Sequence, residues 1–201
     1  MTPITPLERY ALALKEDNFS ADPEQAAAIA KLDALYRELI SASRASPRWS
    51  RLIRRNQVTP NAIKGLYLWG GVGRGKTFVV DLFHGCLSAT LARRVHFHSF
   101  MREIHHALKE TRGTVDPLRH IAQRWAQDLR VLCLDEFHVV DITDAMLLGQ
   151  LLAALFQAGV TLVTTTNEAP DALYKGGLQR DRFLPAIALL KAHLEIFEFT
   201  G

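Results

Sequence analysis

The residues with the clearest chemical signature are Gly70, Gly71, Val72, Gly73, Arg74, Gly75, Lys76 and Thr77. They follow the pattern GxxxxGK[ST] directly after the apolar run Leu66-Tyr67-Leu68-Trp69. A glycine-rich turn between a strand and a helix lets successive backbone N–H groups converge on phosphate oxygens, and the positive end of the helix dipole faces the same point. In that frame Lys76 reaches the β- and γ-phosphates and Thr77 offers its hydroxyl to Mg2+. Phe78 continues the first helical turn, so residues 70–78 are the expected binding segment for ATP or GTP. An ordinary glycine-rich turn is the competing reading, and the acids farther along the chain weigh against it.

Those acids close a second motif. Val131-Leu132-Cys133-Leu134 is a fully apolar strand ending in Asp135 and Glu136, which places two carboxylates at the carboxyl edge of a buried sheet. Asp135 is the expected Mg2+ ligand, through water, and Glu136 the residue that orients and polarises the water attacking the γ-phosphorus. A strand followed by an exposed acidic turn has the same sequence; the phosphate loop favours catalysis. Asn167 follows the run Thr161-Leu162-Val163-Thr164-Thr165-Thr166. Its amide is expected to sense the γ-phosphate or the attacking water, although asparagine is also a common turn residue. Arg180 and Arg182 precede a helix and the last strand, where an arginine can stabilise transition-state charge in a neighbouring subunit. A surface ion pair with Asp181 is the alternative for either one.

The elements that must position these groups are legible as alternating patterns. Strand-like runs at 65–69, 94–99, 130–134, 160–166 and 194–199 alternate with helical spacing, which predicts an α/β fold with a parallel sheet and helices on both faces. The helix after the third strand carries the stripe Ala145, Leu148, Leu151, Leu152 and Leu155. Near the N-terminus, Asp22 caps a helix with Pro23 at its first position, and Ile29, Leu32, Tyr36, Leu39 and Ile40 recur at helical spacing. Residues 41–60 break that pattern, with Arg44, Arg48, Arg51, Arg54 and Arg55 around Trp49. The expected organisation is an N-terminal helical extension and basic linker over 1–60, then a nucleotide-binding core over 61–201.

Bulk properties narrow the class. In 201 residues, 24 Lys plus Arg stand against 21 Asp plus Glu, and a net charge of +3 does not mark a nucleic-acid binder by composition. Cys86 and Cys133 lack CxxC spacing and read as buried thiols of a reducing compartment. No signal-peptide pattern or membrane-length apolar run occurs, so the expected location is cytoplasmic. His96 and His98 would share one face of the second strand; with no acid or cysteine at ligand spacing, packing and hydrogen bonding are favoured over a metal site.

The order and wording of the motifs resemble the ZapE-like ATPases, the bacterial cell-division branch of the AAA+ superfamily, which also has mitochondrial relatives. The likeness runs through Thr5-Pro6-Leu7-Glu8-Arg9-Tyr10, residues 65–77, His96-Phe97-His98 and Asp135-Glu136-Phe137. It continues through Asp141-Ile142-Thr143-Asp144-Ala145-Met146-Leu147-Leu148, Gly177-Leu178-Gln179-Arg180 and Arg182-Phe183-Leu184-Pro185. It covers nearly the whole chain, and the string over 141–148 is far more specific than the phosphate loop. The resemblance implies a P-loop NTPase of AAA+ type with a five-stranded parallel sheet, ATP and Mg2+ as cofactors, and a homo-oligomer in which Arg182, with Arg180 second, acts in trans. It also implies action on the tubulin-like division-ring protein FtsZ.

In the same superfamily, residues before the first strand wall the adenine, here Arg9 and Tyr10, and an aromatic loop after the second strand contacts partners, here Phe100 and Met101, for which core packing is the favoured role. His98 would lie near the nucleotide or a subunit contact. A helical lid normally follows the fifth strand; the sequence stops at Gly201, so weak nucleotide binding and slow turnover are expected of the chain as given. The alternatives to a remodelling ATPase are a nucleotide-gated adaptor and a nucleic-acid-associated loader that would use the arginines over 44–55.

Overall fold

The alternating patterns fold into five strands and seven α-helices among the residues that the computed structural model describes, 4–16, 21–45 and 63–201. In chain order these are α1 (Pro6–Ala13), α2 (Pro23–Ala45), β1 (Gly65–Gly70), α3 (Lys76–Cys86), β2 (Ala92–His96) and α4 (Phe97–Glu110). They continue with α5 (Pro117–Trp125), β3 (Val131–Asp135), α6 (Ile142–Gln157), β4 (Thr161–Thr166), α7 (Arg180–His193) and β5 (Leu194–Phe199). All strand pairs are parallel, in the order β2-β3-β4-β1-β5. β4 therefore lies between β1 and β3, and its carboxyl end separates the phosphate loop from the acid pair.

The period of two along each strand sorts the core into two faces. Leu66, Leu68, Val131, Cys133, Val163 and Phe199 pack with Tyr10, Ile29 and Leu32 of the N-terminal helices and with Val79, Val80 and Phe83 of α3. Tyr67, Leu132, Leu134 and Leu162 face the other way, onto Phe100 and Ile104 of α4, Leu118 of α5, the apolar stripe of α6, and Phe183 and Leu190 of α7. Cys133 is fully buried, and burial pushes its thiol up to about 12; Cys86 is half-buried. No helix among the described residues is long and apolar enough to cross a membrane.

The helix starts obey local capping rules. Thr5 and Glu8 form a reciprocal capping box on α1. The Asp22 carboxylate accepts from the N–H groups of Glu24 and Gln25 at the head of α2. The expected break at residue 41 is not there: α2 runs to Ala45. Ser41, Ala42, Ser43, Arg44 and Ala45 contain no helix breaker, and the next proline after Pro23 is Pro47. The basic residues 48–55 lie outside the described residues.

A second correction concerns β2, expected over 94–99 and found over 92–96. Phe97, Phe100, Met101 and Ile104 are all buried at spacings of three and four, so the chain turns into α4 at Phe97, where Phe97 packs on Phe137 at 4.6 Å between ring centroids. The alternation His96-Phe97-His98 imitates a strand but ends one. His98 thus stands on α4 rather than on a strand face with His96, and both Phe100 and Met101 are 1% exposed, which removes them from partner contact.

α7 meets α6 where the His193 imidazole stacks on Phe156, with centroids 4.2 Å apart and planes at 16°. Burial, helped by the Lys64 charge, holds the His193 pKa below its usual 6.5, and burial with Arg94 does the same for His84. Between the depressed folded values and 6.5 the unfolded chain binds more protons, so stability rises with pH across that window and is lost as pH falls through it. Melting temperatures at about pH 5.5 and 7.5 should differ less for His193→Asn than for the parent chain; an unchanged difference would remove His193 as a source of the slope.

Candidate active site

Gly70 ends β1 with φ 142°, and a Cβ there would stand 2.4 Å from the Phe199 carbonyl oxygen. Gly75 adopts φ 84° at the start of α3, where a Cβ would strike the Gln25 side chain. Glycine at these positions lets the loop over 71–75 bend between strand and helix. No side chain caps α3, so its first N–H groups remain open to an anion. Val72 is 85% exposed at the loop tip, and Thr77 is exposed in the first helical turn. Phe78 packs against Tyr10 at 6.4 Å between centroids.

Lys76 is 8% exposed and turns back over the loop. Its Nζ donates to the carbonyl oxygens of Gly70 at 2.7 Å and Gly71 at 2.6 Å, and to Oδ1 of Asn167 at 3.2 Å. Burial and the nearby Arg74 charge hold its pKa below the usual lysine value. The ammonium is thus held by three neutral acceptors and has no carboxylate partner among the described residues, which suits it to a polyanionic ligand. Asn167, just beyond β4, links the phosphate loop to the central strand.

The acid pair sits on the other side of β4. Asp135 is 5% exposed; its Oδ1 accepts from the Thr165 hydroxyl at 3.3 Å, and its Oδ2 from Nε of Arg94 at 2.6 Å. Arg94, on β2, also donates from Nη1 to Asp81 of α3. Burial works against the Arg94 charge, but the bonds to Asp135 and Asp81 outweigh it and raise its pKa further. Glu136 adopts φ 55°, a conformation that costs a non-glycine residue about 1 kcal/mol and clusters at functional sites. Its N–H donates to Oγ1 of Thr165 at 3.2 Å, and its side chain, 80% exposed, lies 3.7 Å from Nδ1 of His96. Thr165 therefore holds both acids through one hydroxyl.

Arg180 and Arg182 behave differently. Arg180 donates from Nη2 to the Asp171 carbonyl at 2.6 Å, tying it to its own chain, and its Nε is buried with no partner among the described residues. The Arg182 side chain is exposed and makes no hydrogen bond or ion pair among the described residues, only its backbone N–H donating to the Gln179 carbonyl at 3.0 Å, so the alternative pairing with Asp181 does not form. Helices of a parallel sheet run back from its carboxyl edge, so the first turn of α7 shares the rim with Lys76, Asp135 and Asn167. Arg9 stands elsewhere: its guanidinium fills the space over Gly85, near the far end of α3. Arg94 and Thr165 escaped the sequence reading. The available signal was a pair of arginines inside a short strand.

A strand, glycine loop and helix with a buried lysine, an acid-tipped β3 and an intervening β4 ending in Asn167 define a P-loop NTPase of the AAA+ type. Comparison with known proteins agrees. The profile of the AFG1-like ATPases matches residues 4–201, and the chain belongs to that family. It is 46% identical over 204 residues to the cell division protein ZapE of Escherichia coli (strain K12), covering 98% of this chain and 54% of that protein. An uncharacterized Schizosaccharomyces pombe protein is 36% identical over 223 residues, with 96% of this chain and 49% of that one covered. The chain thus spans about half the length of these relatives. Among solved structures, the DnaC helicase loader superposes with a TM-score of 0.57 at 14% identity, over 96% of this chain and 99% of that one, a likeness of fold alone.

Proposed function

We propose that the chain is the catalytic core of a Mg2+-dependent ATPase that works in the cytoplasm as a homo-oligomer and uses hydrolysis to destabilise or remodel the FtsZ ring in bacterial division. The observation that carries the ATPase reading is the Lys76–Asn167 bond of 3.2 Å, which joins the phosphate loop to the strand end beside Asp135. The division role is supported by the similarity to ZapE and by the family likeness of the motifs.

The residues fit Mg2+. Thr77 and Asp135 offer only hard oxygen donors, and Asp135 already carries a compensating cation in Arg94, so the site is built around a balanced charge. When bound, Mg2+ neutralises charge on the β- and γ-phosphate oxygens. Lys76 and the open N–H groups of α3 hold the phosphates, Glu136 orients the attacking water, and Asn167 registers the γ-phosphate. Arg182 reaches the site of the neighbouring subunit.

Lys76→Ala is expected to lose about 100-fold in Mg-ATP affinity by calorimetry, since charge-assisted bonds to phosphate are each about 1.5–3 kcal/mol. In a sedimentation assay the parent chain with ATP should leave less FtsZ polymer in the pellet, and the variant should not. Parent-like affinity in the variant would end the phosphate-binding role. Unchanged pelleting by a turning-over parent chain would end the FtsZ assignment and leave the ATPase standing.

A further inference from the structure

The metal-binding carboxylate is already occupied by a cation of the chain itself. Arg94 and Cys133 are register partners on β2 and β3, and Asp135 lies two residues beyond Cys133 on the same face. The Arg94 side chain runs along that face beneath α3 and ends between two acids with different surroundings. The Asp135 side chain is 7% exposed and that of Asp81 is 59% exposed, with Arg94 at 16% between them. Nε engages Asp135 and Nη1 engages Asp81, so the guanidinium can leave the first and keep the second.

We propose that Arg94 is a tethered stand-in for the metal: it neutralises Asp135 in the nucleotide-free chain, competes with Mg2+ for that carboxylate, and retires onto Asp81 when the metal-nucleotide complex binds. This rests on the reading in which Asp135 holds Mg2+. A carboxylate buried without a cation is costly, and two cations beside one carboxylate repel each other. The arginine therefore keeps the empty site folded and sets how much Mg2+ is needed to fill it. By reciprocity, Mg2+ weakens the Arg94–Asp135 contact by the factor with which that contact weakens Mg2+.

The two partners of the guanidinium predict shifts of opposite sign. Binding of a fluorescent ATP analogue is followed while Mg2+ is titrated. In Arg94→Met, which keeps the aliphatic stem, the Mg2+ concentration at half-saturation should fall about tenfold, within the usual range of coupling between linked ligands. In Asp81→Asn it should rise, because the released guanidinium has nowhere charged to go. Arg94→Lys should stay near the parent. The Arg94 Nε–H resonance, assigned by its loss in Arg94→Lys, should shift when Mg2+ is added to the chain with a non-hydrolysable ATP analogue.

A merely structural tie between α3 and β3 would lower the melting temperature of both variants and leave the Mg2+ midpoint in place. That pattern, or a midpoint that rises in Arg94→Met, or an Nε–H signal indifferent to Mg2+, would overturn the proposal while the ATPase assignment stands. Mg2+-independent binding by the parent chain would overturn the proposal together with the reading in which Asp135 holds Mg2+.

Discussion

ATP turnover by Arg182→Ala is expected to fall about 10³-fold, while its affinity for Mg-ATP should stay within about twofold of the parent chain, because an arginine supplied in trans, the role proposed for Arg182, acts on the transition state rather than on the bound nucleotide. The two arginines differ in their surroundings. Arg180 is bound to the Asp171 carbonyl, whereas Arg182 is exposed and unpaired among the described residues on the first turn of α7. Phe183 beside it is fully buried and packs on Tyr174 at 5.5 Å, which fixes the direction in which Arg182 projects. Leu178 at 69% exposure and Leu184 at 42% leave apolar side chains exposed within a few residues of it along the chain. Specific activity of the parent chain should rise with protein concentration. Mixing Arg182→Ala with Glu136→Gln should restore activity, since one interface then pairs an intact water-positioning acid with an intact arginine. Equal turnover in parent and Arg182→Ala would take the residue out of the mechanism.

Glu136→Gln should lose about 10²–10³-fold in single-turnover hydrolysis with nucleotide binding retained, the size expected when one group aimed at the reacting water is removed. The backbone supports that division of labour. Asp135 is the last residue of β3, buried and paired, while Glu136 leaves the strand at φ 55° with its N–H fixed by Thr165 and its carboxylate on the open rim near His96. Amide for carboxylate keeps the size and the strained backbone and removes only the acceptor charge. Residual turnover above a tenth of the parent would move the water-positioning role to another group. Turnover lost together with binding would instead show that the variant had collapsed the site.

Much of this site was readable because its geometry is local. The glycines over 70–75 permit the bend, Lys76 and Thr77 follow the loop directly, and an apolar strand closing in Asp135-Glu136 delivers two acids to one edge. The cap on α2 and the stripe on α6 are local for the same reason: each depends on residues two to four apart. The second strand was misplaced because His96-Phe97-His98 alternates like a strand over a stretch too short to reveal helical spacing. Only the burial of Phe100, Met101 and Ile104 decided it. Pairs that span the fold were harder. Arg94 meets Asp135 across 41 residues and Lys76 meets Asn167 across 91, distances at which no periodicity carries information.

From its sequence alone the chain was committed to a nucleotide-binding α/β fold, because phosphate cradles, strand faces and helix ends are set by neighbours along the backbone. The tertiary structure decided which charges face each other. Placing β4 between β1 and β3 brings Asn167 to Lys76 and Thr165 to both acids, and the β2–β3 register sets Arg94 against Asp135. Side-chain chemistry between strands follows from strand order and register, and these are fixed by how all the elements share two buried faces of one sheet.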